Sequence, residues 1–282
     1  MTGLPGKGPA RIGPVSLPLG RPIRGWHQNG HPVAWATAGP VSSSGQVWAA
    51  LAEQHQQTGL VPILLDGLLG GLPHDGLPGD ALRPWDSGEF LPPDDPRAAD
   101  GVDAGAFLGA EWRCWVPPGN EDDPEWLEDL GPFTRGWPGL APPEHASVTP
   151  AERRHALDVV LPQIRAANRG SAEARIGLVA AARPADVLAV IGWDCLYSRG
   201  QSLLSLTAVL RSWEDRFGAR LIDVGFDTLR LLVDRPPRTL EAAQRLAAEQ
   251  VPFADDCTGG ARGVPDLAPR LLDGLVWTFW WD

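Results

Sequence analysis

The chain reads as an α+β protein, a mixed sheet with packed helices and a long irregular middle segment rich in Pro, Gly and Asp. Three observations carry that reading. Short apolar runs alternate with stretches of helical spacing. Two of the runs, residues 221–225 and 229–233, flank a turn at Phe226-Asp227 and so read as an antiparallel pair. Between residues 67 and 150 the periodicity dissolves around breakers such as Pro92-Pro93-Asp94-Asp95-Pro96 and Pro142-Pro143.

Taken in order, residues 1–31 carry enough Gly and Pro to be expected as a flexible basic tail. Residues 32–66 form a strand-helix-strand unit. Residues 32–37 have strand composition, residues 46–56 have helical spacing through Val47, Ala50, Leu51 and Gln54, and residues 60–65 are apolar and short. A crossover of that length places its two strands parallel, and Pro62 assigns the second to a sheet edge.

Residues 67–150 are an acidic connector in which regular structure should be sparse, apart from a short helix at 124–130 with Pro124 in its first turn. Trp85, Phe90, Trp112, Trp115, Trp126 and Trp137 fall in it, so parts of it should lie against the folded regions.

Residues 151–282 are expected to be an α+β domain. A strand at 175–181 precedes a helix at 184–191 ended by Gly192. Leu203, Leu206, Leu210, Trp213 and Phe217 recur at spacings of three and four, which is one apolar helix face, stopped at Gly218. After the two paired strands come a helix at 239–250 capped by Thr239, helical residues 266–273 and a last strand at 276–281.

The formal charge is −11, unevenly spread. Basic and acidic residues number four and one over 1–65, four and seventeen over 66–150, and sixteen and seventeen over 151–282. A near-neutral C-terminal region beside an acidic connector excludes a dedicated nucleic-acid binder, which needs a basic face to neutralise phosphates. A single Lys among 24 basic residues points to a high-GC bacterial genome. Cys114, Cys195 and Cys257 are odd in number and lack C-x-x-C spacing, as expected of reduced thiols. With no secretory apolar segment and no run long enough for a membrane helix, a cytoplasmic protein is expected.

Several short motifs in one order carry a family resemblance. They are Trp213-Glu214-Asp215-Arg216-Phe217-Gly218-Ala219, Asp227-Thr228-Leu229, Arg235-Pro236-Pro237, Leu246-Ala247-Ala248-Glu249 and the terminal Trp280-Trp281-Asp282. Over its last hundred residues or so the chain resembles the bacterial domain of unknown function 4253 family. The resemblance implies a domain and no chemistry. Where such members tend to carry Cys-Pro-Asp after the Leu-Ala-x-Glu helix, this chain reads Phe253-Ala254-Asp255-Asp256-Cys257.

The candidate carboxylate site is Asp227, Glu249, Asp255, Asp256 and Asp282, which on loops at one sheet edge could serve as an acid and base pair or bind a cation. Their spacing matches no metal motif, so no metal or other cofactor is expected. Nucleophile elbows and phosphate loops are absent from the sequence. Thirteen tryptophans against one tyrosine suit core filling for most and recognition for a few, with Trp213, Arg216 and Trp280 as candidate contact residues. The expected function is protein interaction or binding, of the kind an immunity protein performs. The alternative is a metal-assisted hydrolase built on the carboxylates.

Overall fold

The computed structural model describes residues 3–25, 30–69, 81–115, 124–167, 173–194, 202–254 and 261–281. The chain runs through β1 (Gly8–Ile12), β2 (Val15–Arg24), β3 (Pro32–Thr37), α1 (Ser44–Thr58), β4 (Leu60–Leu65), β5 (Leu68–Leu69), β6 (Leu82–Arg83), α2 (Ala104–Trp115), α3 (Pro124–Leu130) and α4 (Pro150–Ala167). It continues through β7 (Arg175–Ala180), α5 (Val187–Ile191), α6 (Leu203–Phe217), β8 (Arg220–Val224), β9 (Thr228–Leu232), α7 (Leu240–Phe253), α8 (Val264–Leu271) and β10 (Val276–Trp280). Eight of these strands form one mixed sheet in the order β1-β2-β3-β7-β4-β8-β9-β10, and β5 and β6 pair separately. The α+β class is therefore correct.

One sheet spans both halves of the chain, so the expected divisions at residues 31, 66 and 150 do not separate structural units. The expected tail is instead the hairpin β1–β2, which reaches the sheet through pairing of β2 with β3. Pro18, Gly20 and Pro22 hide it in the sequence. Gly20 is needed there, because a Cβ would sit 2.2 Å from the Trp35 ring.

The strands β3 and β4 are parallel, as expected of the crossover, but β7 lies between them and pairs antiparallel with both. This makes β4 a central strand and corrects its assignment to an edge. Pro62 is tolerated because β8 joins β4 only at Leu64 and Leu65. No neighbour on that side needs the N–H that proline lacks.

Both faces of β4 are covered, which is why it reads as an uninterrupted apolar run. On one face Val61, Ile63 and Leu65 join Trp213, Phe217, Leu229, Trp277 and Phe279. On the other, Leu60 and Leu64 join Trp35, Trp48, Leu157, Leu161, Ile176 and Leu232 under α1 and α4. Alternation along β10 turns Trp277 and Phe279 into the first core, where Trp213 stacks on Phe279 at 5.4 Å and meets Phe253 edge-on at 4.7 Å. The connector is part of that core through Trp85, Phe90, Leu108, Trp112 and Leu130. Its sparse reading fails at α2, a twelve-residue helix.

The helix signals hold locally. Ser202 caps α6 by accepting from Ser205 N, Gly218 ends it at φ 62°, and Thr239 caps α7 by accepting from Ala242 N. Among the described residues no helix is long and apolar enough to cross a membrane.

Candidate functional site

The pairing of β4 with β8 is the one parallel step among the described strands, joining Leu64 to Asp223 and Leu65 to Val224. The carboxyl ends of parallel strands are where α/β sheets commonly place ligands. Charge accumulates there. Asp66 directly follows β4, Asp223 lies in β8, and Arg230 stands opposite Asp223 in the β8–β9 register. Arg230 Nη1 donates at 2.7 Å to Asp66 Oδ2 and at 2.7 Å to Asp223 Oδ2. Asp66 also accepts from Gly67 N at 2.8 Å.

With both carboxylates ionised this group carries one net negative charge, in an interior where Asp223 is 0% exposed and Asp66 2%. Among the described residues Asp223 Oδ1 and Arg230 Nε have no hydrogen-bond partner. Burial pushes Asp223 up to about 7 against the pull of Arg230, and Asp66 adds to the rise. Burial raises Asp66 as well, with Arg230 opposing and Asp227 adding a smaller push in the same direction.

Indoles hold the turn above this network. Trp85 Nε1 donates to the Asp66 carbonyl at 3.1 Å and to the Val224 carbonyl at 2.9 Å, which ties the ends of β4 and β8 together. Trp193 Nε1 donates to the Gly225 carbonyl at 2.9 Å. Trp280 Nε1 donates to Asp227 Oδ2 at 2.9 Å, and Trp281 N to the Asp227 carbonyl at the same distance. Beside them the Arg83 guanidinium lies 4.5 Å over the Phe226 ring. Asp227 and Trp280 are half-buried, so this corner reaches solvent.

The residues singled out from the sequence divide three ways. Asp227 stands at the corner just described. Glu249 is 0% exposed, inside the first core. Its carboxylate accepts from Ala141 N at 2.7 Å, Trp213 Nε1 at 2.8 Å and both terminal nitrogens of Arg216. Trp213 is buried and Arg216 keeps 12% of its side chain exposed, and both are turned toward Glu249, where they clamp α6 on α7; Trp280 is half-buried at the corner. Asp255, Asp256 and Asp282 lie outside the described residues, as do Cys195 and Cys257.

Asp66, Asp223 and Arg230 escaped the sequence reading. The available signal was a charge set inside or just after an apolar run, in Leu221-Ile222-Asp223-Val224, Leu229-Arg230-Leu231-Leu232 and Ile63-Leu64-Leu65-Asp66.

Among the described residues no group of three or more His, Cys, Asp and Glu could hold a metal ion. None of the described tryptophans is exposed; Trp126, Trp137 and Trp280 are half-buried and the others buried, so no open aromatic platform forms from them.

The family model described as Domain of unknown function (DUF4253) matches residues 175–282, the C-terminal part of the chain, which contains β7 to β10 and α5 to α8. The resemblance read from the motifs is thereby shown for that part. No curated protein and no solved structure matches the chain.

Proposed function

We propose that this protein is a binding module for a basic protein partner, and that the Asp227–Trp280 corner is its point of recognition. The observation that carries this reading is the half-exposed Asp227–Trp280 pair beside the buried Asp66–Asp223–Arg230 group, which turns net-negative as Asp223 ionises at about pH 7. Low-dielectric walls around a charge focus its field outward, and an indole already fixed by a hydrogen bond loses little freedom on contact. The overall charge of −11 favours a basic partner in the same way. An immunity-type role in the bacterial cytoplasm, masking a basic toxin, is one function of this class. It needs no cofactor.

A pull-down of the tagged chain from lysate of its source cells, beside an Asp227→Asn, Trp280→Ala double variant of unchanged circular dichroism, tests the reading. A stoichiometric basic partner held by the parent and lost from the variant supports it. Equal retention by both removes the corner from recognition. The competing reading is a metal-assisted hydrolase using Asp227, Glu249, Asp255, Asp256 and Asp282. It takes precedence if no partner is found and Mn²⁺ or Mg²⁺ raises the melting temperature of the parent but not of an Asp255→Ala, Asp256→Ala variant.

A further inference from the structure

A charged hollow lies beside β2 and adjoins the carboxylate network through Trp85, whose indole reaches the Asp66 and Val224 carbonyls. It is a cavity of about 210 Å³ between β2 and the turn after β6, lined by Arg21, Ile23 and Arg24 on one side and by Trp85, Asp86 and Gly88 on the other. Its charges do not balance. Asp86 is the acid of this cavity, and its oxygens are already committed. Arg175 reaches them at 2.7 and 3.1 Å, Arg21 at 2.6 Å and Leu82 N at 2.8 Å.

Burial would raise the Asp86 carboxyl, but Arg175, with help from Leu82 N and Arg21, holds it below the usual carboxylate range. It therefore stays ionised and offsets a single guanidinium. Arg83 nearby is matched by Glu89. Arg24 donates one N–H to the Gly30 carbonyl at 3.0 Å and has no carboxylate partner among the described residues, while a guanidinium carries five donors. Among the described residues, the lining Arg21 and Arg24 together with Arg175, against Asp86, leave a surplus of two positive charges, in a chain of net charge −11.

We propose that this cavity binds a small phosphate monoester, with Arg21 and Arg24 donating to its phosphoryl oxygens and the Trp85 and Ile23 wall receiving its organic part. Planar guanidinium forks suit phosphoryl oxygens, and both of these stand on one strand, three positions apart. The volume sets the size. At about 30 Å³ for each water-sized group the cavity takes roughly seven such groups, more than the five heavy atoms of free phosphate. Trp85 and Ile23 are buried, so the floor of the cavity is fixed.

The test is isothermal titration of the intact chain at constant ionic strength with ethyl phosphate, inorganic phosphate and ethanol. Parent, Arg24→Gln, Arg21→Gln and an Arg113→Gln control, whose side chain is exposed on α2, are compared. The expected result is saturable binding of ethyl phosphate below about 1 mM, weakened at least about tenfold in Arg24→Gln and Arg21→Gln and unchanged in the control. Because Arg21 also holds Asp86, Arg24→Gln is the decisive variant, and both are checked by circular dichroism. Inorganic phosphate bound as tightly as the ester keeps the phosphoryl assignment and overturns the organic wall. No saturation by about 10 mM, or binding indifferent to Arg24→Gln, overturns the proposal.

Discussion

Replacing Glu249 by alanine removes four accepted hydrogen bonds at one buried position. Arg216 is left with 12% of its side chain exposed and without its carboxylate partner. Breaking a buried ion pair from one side costs about 3–5 kcal/mol, because the remaining charge stays in a poor solvent for it. The indole N–H of Trp213 and the Ala141 N–H are orphaned as well, and each unsatisfied donor adds about 1–3 kcal/mol. Part of that overlaps with the first figure, since water admitted for the guanidinium also reaches these donors.

The expected loss is about 5 kcal/mol, which at ~2 °C for each kcal/mol in a chain of this size lowers the melting temperature by about 10 °C. Urea unfolding followed by tryptophan fluorescence measures it as a lower midpoint at unchanged slope. The double variant Glu249→Leu, Arg216→Met removes both charges and should cost less than the two single changes together, with a coupling of at least ~2 kcal/mol. A loss below ~1 kcal/mol for Glu249→Ala, or strict additivity in the cycle, would refute the clamp. Preserved stability in Glu249→Gln together with loss of a hydrolytic activity would return this residue to the catalytic reading.

Asp223→Asn should flatten the dependence of stability on pH. In the folded chain Asp223 titrates at about 7 against 3.8 when free. It therefore contributes stability that is fully present below about pH 4 and lost as pH rises through 7, amounting to ~4 kcal/mol at most. Urea midpoints at pH 5 and pH 8 should fall further for the parent than for the variant; a parent profile no steeper than the variant's would contradict this.

Gly192→Ala should cost more than about 2 kcal/mol in thermal unfolding, because its φ is +68° and a Cβ would stand 2.0 Å from the Leu91 carbonyl oxygen. Gly101→Ala, with nothing within 4 Å, serves as the near-neutral comparison. Trp193→Phe should cost about 1–3 kcal/mol by leaving the Gly225 carbonyl without its donor, read from the same urea curves.

What the sequence disclosed was local. The apolar face of α6, its stop at Gly218, the Thr239 cap and the turn at Phe226-Asp227 each depend on residues within a few positions of one another. What it concealed depends on distant partners. The helix α2 carries Gly105 and Gly109, which weaken any helical reading, yet Gly109 is required because a Cβ would approach Trp137 to 2.9 Å. The knot of Trp213, Arg216 and Glu249 stayed hidden, since an acid and a base 33 positions apart give no sign of pairing before α6 meets α7. Read in three dimensions, much of the family-like motif holds the fold together. Glu214 Oε2 accepts from Ala185 N, Asp215 pairs with Arg183, and Arg235 donates to the Asp215 carbonyl. Asp227 and Trp280 are the half-buried pair among the described residues of the expected carboxylate and contact sets that forms the corner.

The position of β4 between β7 and β8 bears on how this protein is made. Residues 60–65 emerge from the ribosome long before residues 175–180 and 220–224, and until then β4 has neither neighbour. The sheet cannot close as synthesis proceeds, and its pairings of high sequence separation place the slow steps of folding after nearly the whole chain is out. Residues 175–282 expressed by themselves would hold β7 on one side of a one-strand gap and β8 on the other. Both would present bare edges of the kind that recruit strands from other molecules.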